Sequence, residues 1–324
     1  MKIGNCELKY GLLLAPMAGY SDSAMRAVCH SMGAEYSVTE MVSAKAVAFG
    51  DKKTFNLARI RESEGNVAVQ IFGSEPEIMA NAAHVLSSPF PERGYIPPVA
   101  IDINMGCPVK KIYNNGEGSA LMRDPELIYR IVRAVSSATH LPTTVKLRLG
   151  IDGASLNATE CALAAEEGGA DLLCVHGRTR SQLYSGEVNI DMIAEVVRAV
   201  RIPTVANGDI TDAASARRML DCTGAAGIMI GRGAVGNPFI FREIISMLRG
   251  QSCPDVSLDM RKETALRQIR LAVLDKGEAL AIPESRKQIA AYFKGFRGAA
   301  ALRAKINTLT TLSEVERAIT DMEE

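Results

Sequence analysis

The chain has 324 residues, 37 Lys and Arg against 37 Asp and Glu, and 47% hydrophobic residues. This composition excludes a disordered or fibrous chain and supplies enough apolar material for a sizeable core. At this length a domain of about 250 residues followed by a smaller one is possible, as is one large domain. The apolar run from Leu12 to Met17 is too short for a signal-peptide core or a membrane span, so a cytoplasmic protein without a membrane partner is expected. Seven scattered cysteines with no C-x-x-C pair point to reduced thiols, not to a disulfide framework or a zinc site.

Short apolar runs bounded by turn residues begin at Leu12, Tyr36, Val67, Val99, Thr144, Leu172, Pro203 and Gly227. Helical patterns such as Pro125-Glu126-Leu127-Ile128 and Met192-Ile193-Ala194-Glu195 fill the intervals. Strand then helix, eight times over, predicts an α/β fold, a (β/α)8 TIM barrel, with an open doubly wound sheet as the alternative. Four prolines between residues 87 and 98 predict a surface loop before the fourth strand. After Gly231 the strands stop. Helical faces follow at Leu266, Ile269 and Val273 and at Ile289, Tyr292, Phe293 and Phe296, and Thr311-Leu312-Ser313-Glu314 reads as a capping box. The expected division is a barrel over residues 1–244 and a small all-helical domain over 245–324. Residues 260–307 hold 11 Lys and Arg against 4 Asp and Glu, a balance of +7. Such a field suits a polyanion, and also suits a solvated helical surface.

Barrel enzymes work at the carboxyl ends of their strands. Here the runs lead into Pro16-Met17-Ala18, Glu40-Met41, Gln70, Asn104-Met105-Gly106-Cys107-Pro108, Lys146-Leu147-Arg148, His176-Gly177-Arg178, Asn207-Gly208-Asp209 and Gly231-Arg232-Gly233. That concentration of hydrogen-bonding side chains at one rim predicts a ligand site. The glycine turns after strands seven and eight predict a mononucleotide phosphate cup, and the G-x-G-x-x-G match from Gly231 to Gly236 lacks the following strand that a dinucleotide fold requires. Lys146 lies inside a strand and needs an anion or an electron-rich carbonyl; with Gln70 and His176 it would satisfy a planar heterocycle, and flavin mononucleotide (FMN) meets both ring and phosphate requirements. No metal site is expected, because among His30, His84, His140 and His176 no two have ligand spacing. Cys107, between Gly106 and Pro108, is read as a functional thiol and Cys174 as core.

These motifs, taken together with Leu14-Ala15-Pro16-Met17-Ala18-Gly19, Gly118-Ser119-Ala120-Leu121-Met122, His176-Gly177-Arg178-Thr179-Arg180 and the tail positions Arg286-Lys287-Gln288, Tyr292 and Gly295-Phe296, resemble the bacterial tRNA-dihydrouridine synthases, the B-type subgroup most of all. The likeness is collinear over essentially the whole chain. The resemblance implies an FMN enzyme that reduces the C5=C6 bond of particular uridines in tRNA, with NADPH as reductant. It implies Pro16, Met17 and Ala18 at the flavin, Gln70, Lys146 and His176 about its ring, and Asn207, Gly208, Asp209, Gly231 and Arg232 toward its ribityl phosphate. It further implies Cys107 as proton donor and Asn104 and Arg178, with His176, at the uracil. The basic tail, with Lys287, Lys294 and Arg297, would then hold tRNA. A monomer is expected.

Overall fold

The computed structural model describes residues 1–88 and 95–323. Eight parallel strands form its centre: β1 (Leu12–Leu14), β2 (Tyr36–Val38), β3 (Val67–Phe72), β4 (Ala100–Met105), β5 (Thr143–Leu147), β6 (Leu172–His176), β7 (Thr204–Asn207) and β8 (Gly227–Ile230). Met229 on β8 is the partner of Leu13 on β1, and the ring closes where Ser37 on β2 pairs with Val67 on β3. The β2–β3 pairing excludes the open sheet. The predicted TIM barrel, followed by a helical C-terminal region, is the observed architecture. The proline-rich segment expected over 87–98 lies in part outside the described residues.

Side chains of a strand alternate between its two faces, and here that alternation sorts chemistry as well as packing. Leu12, Leu14, Val69, Ile71, Ile101, Ile103, Val145, Leu147, Val175 and Ile230 belong to the outer core shared with the helices. Leu13, Tyr36, Val38, Ala68, Ala100, Leu172, Cys174, Val205 and Met229 fill the inside. Ile3 and Leu8, from a small hairpin pairing Lys2–Ile3 with Cys6–Glu7, join that inner cluster. The inward column is thus apolar at the base. Towards the carboxyl ends the same parity brings in Gln70, Asp102, Asn104, Thr144, Lys146, His176 and Asn207, so the strands that build the core also build a polar upper chamber.

The surrounding helices start where short acceptors wait for free N–H groups. Asp22 caps helix Ser23–Ser31 by accepting from Met25 N at 3.0 Å, and Asp124 caps Pro125–Ala138 by accepting from Leu127 N at 3.0 Å. The predicted capping box is present: Thr311 Oγ1 accepts from Glu314 N at 3.3 Å, and Glu314 Oε2 accepts from Thr311 N at 3.0 Å.

Helices Leu258–Lys276, Glu278–Ala291, Ala299–Ile306 and Leu312–Thr320 share a second apolar cluster with Ile269, Ile289, Phe293, Ile306 and Ile319 buried in it. Helix Ile240–Leu248 instead sends Ile240, Phe241 and Ile244 into the barrel's outer core. The boundary expected at 244/245 therefore falls inside a helix. The last helix packed on the barrel comes after the last strand. Lys276 joins the two cores: its Nζ lies 2.8 Å from both Asp22 Oδ2 and Glu284 Oε2, and Arg61 pairs with Asp275 at 2.9 Å.

Candidate active site

The carboxyl ends of the strands enclose a cavity of about 730 Å³, within the usual size of a small-molecule or cofactor site. On the β3–β4 side Gln70 and Asn104 share a hydrogen bond, Asn104 Nδ2 donating to Gln70 Oε1 at 2.8 Å. Asn104 Oδ1 accepts from the backbone N–H groups of Gly106 at 3.2 Å and Cys107 at 2.9 Å. Ser119 Oγ donates to the Cys107 carbonyl at 2.8 Å. At Gly118, φ is +60° and an added Cβ would sit 3.0 Å from the Cβ and carbonyl oxygen of Cys107. The loop that presents the thiol is thus fixed from both sides. Burial pushes the Cys107 thiol above its ordinary pKa, so it stays protonated at neutral pH.

Lys146 projects into the chamber from β5 and donates to Asn207 Oδ1 at 3.1 Å. Burial, with Arg148 nearby, lowers its pKa from the usual lysine value. His176 is pushed down to about 2 by burial first and then by the cations Lys146, Arg148, Arg178 and Arg232. It is a neutral imidazole. Arg148, two residues past Lys146, is 3% exposed and lines the same chamber. Its Nε donates to Gly106 O at 2.8 Å and its Nη1 to Thr179 O at 2.8 Å and Leu183 O at 2.9 Å, which ties the Cys107 loop to the loop after β6. Burial lowers its pKa to about 10, still far above neutrality.

Pro16, Met17 and Ala18 form the wall beyond β1, in a turn where Met17 O accepts from Tyr20 N and Ser21 N at 2.9 Å each. Opposite, Asn207 Nδ2 donates to Met229 O at 2.7 Å, and Gly208, Gly231 and Arg232 bring the last two loops to the cavity lip. An added Cβ at Gly233 would lie 2.1 Å from Ile210 O, so glycine there lets these loops touch. Asp209, a non-glycine residue at φ +47°, turns its carboxylate to Arg178 at 2.5 Å and Arg232 at 3.1 Å. The hydrogen bonds that Arg178 Nη1 and Nη2 donate to Asp209 are the main reason that carboxyl is held below its usual range.

Asp209 lines the cavity, and its side chain is a negative brace for two arginines. Arg178 does not line the cavity: it is 2% exposed, and besides Asp209 it donates to Ser185 O at 3.1 Å and Gly186 O at 2.6 Å. Strand alternation is lost at the Gly177 turn, so Arg178 takes a different direction from His176, towards Asp209, Ser185 and Gly186. Sequence reading also passed over Asp102, whose parity with Asn104 would have revealed it, and Tyr184, an exposed lip residue whose ring lies 6.5 Å from that of His176 and 4.8 Å from the Arg232 guanidinium. The tail residues Lys287, Lys294 and Arg297 are exposed and lie outside the cavity lining. No cluster of three or more His, Cys, Asp or Glu able to hold a metal ion occurs among the described residues.

A closed parallel barrel whose polar side chains gather at the carboxyl ends of its strands has the architecture of barrel enzymes. The family model described as Dihydrouridine synthase (Dus) matches residues 13–323. The chain is 40% identical over 311 residues to tRNA-dihydrouridine synthase B of Pseudomonas putida, covering 95% of this chain and 90% of that one. It is 39% identical over 316 residues to tRNA-dihydrouridine synthase B of Vibrio cholerae, covering 97% and 96%, and 39% identical over 307 residues to a probable tRNA-dihydrouridine synthase of Treponema pallidum, covering 92% and 88%. The chain belongs to the dihydrouridine synthase family. Among solved structures, histamine dehydrogenase from Rhizobium sp. 4-9 aligns with TM-score 0.57 and 12% identity over 89% of this chain and 50% of that one, a likeness of fold alone.

Proposed function

We propose that this protein reduces the C5=C6 bond of specific uridines in tRNA to 5,6-dihydrouridine, with FMN as resident cofactor, NADPH as reductant and Cys107 as proton donor. The observation that carries the reading is a cysteine whose backbone is held by Asn104 and Ser119 on the wall of a chamber that also gathers His176, the amides Gln70 and Asn207, and the cations Lys146 and Arg148.

The residues present fit a flavin nucleotide. Lys146 is recessed, donates to the Asn207 amide oxygen and has further N–H groups for a carbonyl-rich ring. A Cβ added at Gly231 would point into the chamber, 3.6 Å from Met17 Sδ, so the backbone there is left bare for close approach. Arg232 stands at the lip with its side chain 58% exposed, available to a phosphate. We assign Pro16, Met17 and Ala18 to the wall against the ring, Gln70, Lys146 and His176 to its polar edge, and Asn207, Gly208, Gly231 and Arg232 to the phosphate side. The chemistry supplied by FMN when bound is delivery of a hydride to C6 of the uracil.

The protein's own tasks are then placement and acid catalysis. Cys107 gives its proton to C5, and hydride plus proton complete the saturation of the bond. A neutral His176 can accept from an N–H or donate one N–H to a carbonyl without carrying charge. Arg148 and Lys146 keep positive charge beside the carbonyl oxygens on which negative charge develops. A uracil within folded tRNA must leave its stack to reach this chamber, and phosphate contacts by Lys287, Lys294 and Arg297 would hold the RNA while it does. Such a substrate implies a cytoplasmic enzyme; no helix among the described residues is long and apolar enough to cross a membrane.

Incubation of the purified protein with NADPH and unmodified tRNA, followed by nucleoside analysis, should yield dihydrouridine, and free uridine should be a poor substrate. A folded protein that takes up no FMN, or a flavin-loaded one that leaves tRNA uridine intact while reducing a free pyrimidine, would overturn the reading.

A further inference from the structure

Gln70, Asp102 and Thr144 stand opposite one another on β3, β4 and β5 and form one layer inside the barrel. Asp102 is 2% exposed; it accepts from Gln70 Nε2 at 2.7 Å and from Thr144 Oγ1. An ionised carboxylate offers acceptors only, so the Gln70 amino group must face it. The Gln70 carbonyl oxygen is then the end that meets Asn104 Nδ2, at 2.8 Å. Asn104 is left with its own carbonyl oxygen towards the N–H groups of Gly106 and Cys107. Each amide alone could turn over at little cost. In this chain a flip would set donor against donor in the interior, where an unmade hydrogen bond costs most. Burial raises the Asp102 carboxyl to about 6, while Thr144, Gln70 and the charge of Lys146 hold it down, so the acceptor form prevails at neutral pH.

We propose that Asp102 is a positioning residue: anchored by Thr144, it sets the Gln70 and Asn104 amides and through them the place of the Cys107 thiol. The proposal rests on the reading of Cys107 as the proton donor. It also gives a reason for a carboxylate buried inside the barrel beneath the amides Gln70 and Asn104.

The test uses the purified flavin-loaded enzyme with Asp102→Ala, Gln70→Leu, the double variant and Asp102→Asn. Alkylation of Cys107 by iodoacetamide, followed by peptide mass spectrometry, reads the freedom of the thiol, and single-turnover reduction of tRNA by pre-reduced enzyme reads its placement. In Asp102→Ala, alkylation should quicken about tenfold as the loop loosens, and the single-turnover rate should fall about 10- to 100-fold with tRNA affinity unchanged. Gln70→Leu should reproduce the faster alkylation. The double variant should exceed neither single by much, because both cut one chain, and Asp102→Asn, which can still accept from Gln70, should stay near wild type in both readouts. Unchanged Cys107 alkylation in both single variants, with only the melting temperature lowered, would reduce Asp102 to packing and overturn the proposal, as would fully additive effects. If Asp102→Ala does not fold, Gln70→Leu against Asp102→Asn carries the same decision. If the wild-type enzyme reduces no tRNA uridine, the acid reading fails by itself, and the alkylation rates still decide whether Asp102 places the loop.

Discussion

Lys146 and Arg148 in the barrel chamber are recessed and bonded to named oxygens, whereas Lys287, Lys294, Arg297, Arg303 and Lys305 on the C-terminal helices stand in solvent and enter no ion pair among the described residues. The first pair is fixed in direction by its hydrogen bonds to Asn207, Gly106, Thr179 and Leu183 and would act at hydrogen-bond range on a group placed against it. The second set is exposed, screened over about 8 Å at physiological salt, and would act on any polyanion near enough to feel it. On the proposed function, one chain would hold two kinds of recognition: fixed donors for a small reacting group, and a diffuse field for the large molecule that carries it.

The hardest test of that division is Cys107→Ala. It should keep FMN and its reduction by NADPH yet lose about 10²–10⁴-fold in tRNA reduction, while Cys174→Ala, altering a buried inner-core thiol, retains activity. Equal losses in both variants would erase the distinction between chamber and core. Lys146→Ala should release FMN during purification, read as lost flavin absorbance at unchanged fold; a fully yellow variant would remove the lysine from the cofactor site.

Reversing the five tail charges together should weaken tRNA binding and flatten its salt dependence, since each neutralised phosphate contributes a slope of about −0.7 to −0.9 in log K against log salt. FMN binding should not change. A tRNA affinity indifferent to these reversals would make the tail a solvated face and move the RNA surface to the barrel rim. Lys276→Met, which cuts the ties to Asp22 and Glu284, should destabilise the protein by about 1–3 kcal/mol in denaturant titration, because it strands the largely buried Asp22 carboxylate.

The smallest effect concerns pH. With His176 neutral down to about 2, no imidazole inflection should appear in the activity profile above about pH 5. Its ordinary pKa of about 6.5 returns on unfolding, so the unfolded state binds the extra proton and His176's contribution to stability falls as pH drops below that value. A His176→Asn variant should lose that acid-side slope.

The strands were legible because their outer faces are apolar throughout and their inner faces are apolar at the base, which left unbroken runs for β1 and β8. The same criterion hid Asp102, which looks like an interruption in Ala100-Ile101-Asp102-Ile103 until the alternation is read together with Gln70 and Thr144 on neighbouring strands. Nearly all the expected cavity residues do meet there, because a strand end needs no long-range information to be located. Arg178 and the far side of Asp209 were not legible: their directions follow from a turn and from a left-handed backbone residue, neither of which leaves a periodic trace.

The small hairpin at the chain's start has a kinetic consequence. With Ile3 and Leu8 stoppering the base, the chamber is a blind well reached from the strand ends. On the proposed function, a nicotinamide donor and a uracil that both need its floor would come and go by one door, so the reductant would depart before the RNA base settles. Initial velocities measured against both reactants should then fall on parallel double-reciprocal lines.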